Sequence, residues 1–196
     1  MSGAPIEFWF DFSSPYGYLV SPRVDGVAAK HGRIAAWRPF LLGAVFKSEG
    51  TQPLTEYPRK GAYSRLDFER TARLHGVPFR MPKPFPIGTV TAARAFYVVL
   101  DRDGEAAAAR LAKALFAAYW AEGLNIAEAD VVLEIAQLHR DEIETPAAKE
   151  RLRAATAEAI ERKGVFGSPF FIVDGEPFWG CDRLEQVDCW LSTGGW

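Results

Sequence analysis

A chain of 196 residues is long enough for one substantial core, or for one core carrying a large insertion. With 48% hydrophobic, 24% charged and 13% aromatic residues it reads as an ordinary globular chain with an aromatic interior, which argues against disorder. The 23 basic and 25 acidic residues, net −2, offer no surface for a polyanion, and no window reaches the ~18 apolar residues of a membrane span, so neither nucleic acid nor a bilayer is expected as partner.

The N-terminal Met1-Ser2-Gly3-Ala4-Pro5 lacks a basic region followed by an apolar one, so the expected compartment is the cytoplasm. In the first strand candidate Ile6, Phe8 and Phe10 alternate with Glu7, Trp9 and Asp11, the period of a strand whose two faces meet different surroundings. It stops at Ser13-Ser14, and Pro15 opens a helix. Serine accepts a bond from an orphan amide, and proline pre-sets the first helical φ without needing a donor. Tyr16, Leu19, Val20, Val24, Val27, Ala28 and His31 continue at helical spacing to Gly32, and Pro22 is expected to remove a backbone bond and kink the helix. Arg33 to Arg38, closed by Pro39, predicts a second strand. The first 40 residues therefore read strand, helix, strand, a parallel unit with a helical crossover.

Residues 41–60 read as loop, after which the chain turns helical. One helix is expected from about Gly61 to His75, followed by an extended connector from Val77 to Ile87 that carries Pro78, Pro82, Pro84 and Pro86. Further helices are expected from Thr89 through Leu100, from Asp103 through Glu122, and from Ala127 to His139. Another runs from the cap-then-proline pair Thr145-Pro146 to Gly164. Strand chemistry returns in Phe170–Val173 and Glu176–Trp179, a hairpin around Asp174-Gly175, with Pro177 marking its second strand as an edge. Asp182 is expected to cap the last helix, with Glu185 completing a capping box.

Three short stretches can carry chemistry. Ser14, as N-cap, either satisfies its helix alone or helps to hold an anion beside free amides and the positive end of the helix dipole. Ser168-Pro169, directly before the Phe170 strand, reads in isolation as a turn. Within Gly180-Cys181-Asp182-Arg183, Asp182 serves either as a plain cap or, with Arg183, as one side of a zwitterion site. Cys181 and Cys189 form neither a C-x-x-C pair nor a zinc pattern and are expected as unpaired thiols. His31, His75 and His139 sit near helix ends and suggest no metal site and no catalytic base.

The set FWFDFSSPYGYL, WRPFLLGAVFK and GVFGSPFFIVDGEPFWGCDRL resembles the 2-hydroxychromene-2-carboxylate isomerase family, a glutathione-dependent group allied to kappa-class glutathione transferases and periplasmic disulfide oxidoreductases. The resemblance implies an α/β chain: a thioredoxin-like fold built from residues 1–40 and 165–196, split by an all-helical insertion over 41–164. It also implies a cis peptide before Pro169 and a homodimer. Where the disulfide oxidoreductases carry C-x-x-C, this chain has Ser14-Pro15-Tyr16-Gly17, which removes dithiol chemistry.

What the resemblance leaves is a site for a thiol supplied by glutathione. Ser14 would donate to the glutathione sulfur and favour its thiolate. The backbone of Ser168 beside Pro169 would face the cysteinyl moiety, and the Cys181 amide, Asp182 and Arg183 the γ-glutamyl end. The thiolate would add to the conjugated carbon of a chromene, open the ring, allow rotation and leave as trans-o-hydroxybenzylidenepyruvate forms, a step of aromatic hydrocarbon catabolism. Lys47, Lys60, Tyr63 and Phe85 are the expected substrate contacts; Arg38 and Arg59 lie where they too could meet a carboxylate, while Trp9, Phe85 and Tyr119 are either cleft walls or core. Two positions depart from the family pattern: Ser168, where a small apolar residue is common, and Gly88, where Asn is common. A transferase or peroxidase acting on another electrophile through the same site, or a non-catalytic thiol-ligand module, are the competing readings.

Overall fold

The computed structural model describes residues 3–196, so Met1 and Ser2 of the N-terminal stretch lie outside the described residues. Four strands form one mixed sheet in the order β2-β1-β3-β4. The central strand β1 (Ile6–Phe10) pairs in parallel with β2 (Ala35–Pro39) and antiparallel with β3 (Phe170–Val173), which pairs antiparallel with β4 (Glu176–Trp179). Phe8 is thus flanked by Trp37 on one side and Phe171 on the other, ring centroids 4.9 Å and 5.3 Å away. The central strand is built from the chain's start, and one of its two neighbours from near the chain's end.

The alternation in β1 has a specific origin. Ile6, Phe8 and Phe10 enter a large core shared with α1 (Pro15–Lys30) and α9 (Leu184–Thr193), whereas Trp9 enters a smaller one with Phe40, Val45, Val165 and Phe170. Both faces are buried, each fully covered aromatic contributing roughly 1.5–3 kcal/mol. Glu7 survives on the second face because the Lys163 ammonium meets it at 2.6 Å and the Trp9 indole at 2.8 Å.

Helix α1 runs through Pro22 from Pro15 to Lys30. Pro22 cannot donate to the Tyr18 carbonyl, and the Ser21 hydroxyl does so instead, at 2.8 Å.

Between residues 42 and 162 the regular structure is helical: α2 (Leu42–Glu49), α3 (Pro58–His75), α4 (Val90–Asp103), α5 (Glu105–Ala117), α6 (Ala129–Ala136), α7 (Arg140–Ile143) and α8 (Pro146–Ala157). Single π-helical turns, Ala118–Glu122 and Glu158–Arg162, prolong α5 and α8. Among the described residues no helix is long and apolar enough to cross a membrane.

The loop expected over 41–60 is corrected by α2, by a 3-10 turn at Leu54–Glu56 and by the early start of α3 at Pro58. The start of α2 has no side-chain cap of its own; the Leu42 amide donates instead to Asp11 Oδ2 at 2.8 Å, a partner 31 positions away. Asp103 does not open α5, because α4 runs on to it and Gly104 separates the two. The helix expected to reach His139 ends at Ala136, and His139 caps the short α7. Asp182 does not cap α9 either. Residues Cys181–Arg183 make a 3-10 turn, α9 starts at Leu184, and the Asp182 carboxylate accepts from Arg183 at 2.7 Å.

One close contact fixes the corner between the 3-10 turn and α3. A methyl group on Gly61 would stand 2.6 Å from the Thr55 carbonyl oxygen, and the Gly61 amide already donates to Tyr57. In an open helix, alanine here would gain about 1 kcal/mol in propensity. Against backbone the clash outweighs that, so Gly61→Ala is expected to destabilise by about 1–2 kcal/mol in chemical denaturation. A stabilised variant would refute the packing.

Candidate functional site

The site begins where β1 meets α1. Ser14 caps the helix from an extended conformation, its Oγ accepting from the Gly17 amide at 3.1 Å. The same oxygen donates to the Ser168 carbonyl at 2.9 Å, across 154 positions of sequence. The Ser168-Pro169 peptide is cis, and the Pro169 carbonyl accepts from the Gly180 amide at 3.1 Å. A continuous run of bonds therefore leads from the helix mouth to the backbone just before Cys181. Ser14 is only 4% exposed, so its hydroxyl is spent on its cap and on Ser168.

Asp11 holds the floor of this site. Its buried carboxylate accepts from Ser13 N (2.8 Å), Leu42 N (2.8 Å) and the Thr89 hydroxyl (3.0 Å), tying the β1–α1 loop to the starts of α2 and α4. Its own amide donates to Ser168 Oγ at 3.0 Å, and its carbonyl accepts from Ser14 N at 2.9 Å. Burial raises its pKa above the ordinary value, and the three donors only partly oppose that.

The neighbouring wall is Tyr16, whose hydroxyl donates to Asp67 of α3 at 2.5 Å, while Asp67 also accepts from Arg70. Burial, reinforced by Asp67, pushes the Tyr16 phenol up, so it keeps its proton. Burial raises the Asp67 carboxyl, but the bonds from Tyr16 and Arg70 win and hold it below the usual range. Cys181 is a free, buried thiol pushed up to about 12, chiefly by burial and then by the Asp182 charge. It is therefore no thiolate near neutral pH. Cys189 is free and exposed.

A cleft of about 330 Å³ opens beside Tyr16, lined also by Leu54, Arg59, Lys60, Tyr63 and Ser64. Neither Arg59 nor Lys60 forms an ion pair among the described residues; the Lys60 ammonium sits 5.1 Å from the Tyr57 ring centre. The structure thus brings together Ser14, Ser168, Pro169 and Cys181 on one side and Lys60 and Tyr63 on the other. Asp182 is exposed and Arg183 partly so, paired with each other.

Two expected substrate contacts do not line the cleft: Lys47 is exposed in the last turn of α2, and Phe85 packs on Trp120 at 5.4 Å. Arg38 is engaged by Glu105 at 2.6 Å, and Trp9 and Tyr119 are core. The sequence reading missed Asp11, Asp67 and the wall role of Tyr16. A polar residue ending a buried strand was the one signal available for Asp11; nothing local marks Asp67.

A mixed sheet entered as β-α-β, left as β-β-α and interrupted by helices, with a helix mouth facing a cis-proline, defines the thioredoxin class. The chain belongs to the family of DSBA-like thioredoxin domains, matched over residues 5–191. Along nearly its whole length it is similar to the 2-hydroxychromene-2-carboxylate isomerase of Pseudomonas putida, 31% identical over 93% of this chain and 92% of that one. Glutathione S-transferase kappa 1 of Rattus norvegicus is 28% identical over 95% of this chain and 91% of its own. A solved 2-hydroxychromene-2-carboxylate isomerase superposes with a TM-score of 0.84 at 28% identity, covering 97% of this chain and 95% of the other. The expected thioredoxin-like fold with a helical insertion is the one found.

A carboxyl whose folded pKa lies above its ordinary 3.8 is held protonated more readily by the fold than by the unfolded chain. Its contribution to stability is then fullest below that ordinary value and declines as pH rises through the raised one. Relative to Asp11→Asn, the parent protein should lose stability as pH climbs from acid towards neutral. Urea unfolding across that range checks this, and a pH-independent difference between the two proteins would contradict it.

Proposed function

We propose that this protein is a glutathione-dependent isomerase acting on an aromatic carboxylate of the 2-hydroxychromene-2-carboxylate kind. The observation that carries this reading is the helix mouth, where a capping serine stands bonded to the carbonyl before a cis-proline and the one nearby cysteine is held as a neutral thiol. The residues present fit glutathione. Ser14 and the positive end of α1 suit a sulfur anion, the Ser168 backbone suits a cysteinyl peptide, and Asp182 with the Cys181 amide and Arg183 suits a γ-glutamyl zwitterion.

Glutathione, when bound, would supply a thiolate able to add to the conjugated carbon of the chromene and to leave again, so that ring opening and rotation about the former double bond could give trans-o-hydroxybenzylidenepyruvate with glutathione regenerated. The chain's own residues do the rest. When a peptide N–H takes over the Ser168 carbonyl, the Ser14 hydroxyl is freed to turn its proton toward the sulfur. Helix N-termini lower thiol pKa values from roughly 8.5 to about 3.5–7.5, enough to make the anion the main form near neutral pH. Arg59 and Lys60, which form no ion pair among the described residues, suit a carboxylate, and the rings of Tyr16 and Tyr63 suit a fused aromatic ring. Similarity to a kappa-class transferase supports a second reading, in which the same site serves another electrophile.

Absorbance of a 2-hydroxychromene-2-carboxylate followed with and without glutathione separates the two. Isomerisation should require glutathione, and Ser14→Ala should lower kcat/KM on the order of a hundredfold, as for the loss of one preorganised donor. Lys60→Met should raise KM several-fold with a smaller effect on kcat. Conversion unchanged by leaving glutathione out, or a Ser14→Ala variant within a few fold of the parent, would defeat the assignment.

A further inference from the structure

The departure at Ser168 places a second hydroxyl at the mouth of α1. A methyl group built on Gly17 would lie 3.2 Å from Ser168 Oγ and 3.3 Å from Ser14 Oγ, so the two oxygens flank one spot on the first helical turn, which glycine leaves open. Their hydrogen-bond states differ. Ser14 Oγ accepts from Gly17 N and donates to the Ser168 carbonyl, which uses its only proton. Ser168 Oγ accepts from the Asp11 amide at 3.0 Å, and its proton finds no protein acceptor among the described residues. Ser14 is buried, whereas Ser168 is partly exposed. Among the described residues the hydroxyl at the helix mouth whose proton is left for an anion is therefore that of Ser168.

Resting on the glutathione reading above, we infer that the Ser168 hydroxyl is a second proton donor to the bound sulfur, working alongside Ser14. The Asp11 amide holds its oxygen from behind, so the hydroxyl keeps its place without giving up its proton. The side chain of Ser168 thus lies beside the first turn of α1, and its carbonyl accepts from Ser14. A small apolar residue at this position would leave the sulfur with Ser14 alone. The hydroxyl thus makes Ser168 a residue that sets the thiolate fraction of the bound ligand rather than the affinity of its peptide backbone.

The test is a titration of the protein–glutathione complex by the ultraviolet thiolate band, with affinity measured separately by calorimetry. Ser168→Ala should raise the midpoint of the bound thiol by about one pH unit, a tenfold loss of thiolate on the acid side of the curve, with affinity well below both midpoints, where the thiol is protonated free and bound, changed less than threefold and affinity at high pH falling about tenfold. Ser168→Thr, which restores the hydroxyl, should return the midpoint toward the parent value. Ser168→Val, matched to threonine in bulk, should behave as alanine does, which controls for packing. Coincident midpoints for parent, alanine and valine variants would overturn the inference and leave the glutathione reading standing. Absence of glutathione uptake by the parent protein would overturn both.

Discussion

The Ser14–Ser168 hydrogen bond closes the structure on itself. It joins the end of β1 to the approach of β3, two segments 154 positions apart that sit side by side only because the sheet brings the two ends of the chain together. Everything that gives the site its character follows from that closure. The hydroxyl caps α1, the Ser168 carbonyl lies beside it, and the Pro169–Gly180 bond carries the link onward to Cys181. Asp11 adds a second level of constraint from below, where one buried carboxylate anchors the β1–α1 loop to the first turns of two helices from the inserted region.

Charge is distributed so that the cysteine at the site, Cys181, is held as a neutral thiol. Cys181 lies near Asp67 and Asp182 and inside a desolvated pocket, both of which oppose ionisation. The helix mouth a short way off has the opposite bias, with a positive dipole end and hydroxyl groups but no thiol. A thiolate is therefore favoured at the helix mouth and disfavoured at Cys181. The cleft beyond Tyr16 adds Arg59 and Lys60, neither ion-paired among the described residues, beside the largely apolar Leu54, Tyr16 and Tyr63.

Much of this was legible in the sequence, and the parts that were not share a cause. The hairpin at Asp174-Gly175 and the starts at Pro15 and Pro146 depend on residues within a few positions of one another, and all were found where expected. The end of β1 and the Ser14 cap are equally local. Helix α2 was missed because its first amide is satisfied by Asp11 rather than by a neighbour, and propensity alone does not reveal a cap 31 positions away. Asp182 looked like a cap because its spacing to Glu185 fits the pattern, but Arg183 competes for its carboxylate and a 3-10 turn intervenes. Lys47 and Phe85 were placed by family likeness; the cleft found beside Tyr16 is bounded instead by one side of α3 and the turn before it. The pairing of Tyr16 with Asp67 spans 51 positions and had no local signal.

A crystal structure of the complex with glutathione tests the central claim most directly. The account predicts the sulfur at the first turn of α1 within hydrogen-bonding reach of Ser14 Oγ, with the cysteinyl amide donating to the Ser168 carbonyl in place of the serine. A tripeptide bound elsewhere, with the Ser14–Ser168 bond intact and no sulfur at the helix mouth, would contradict it.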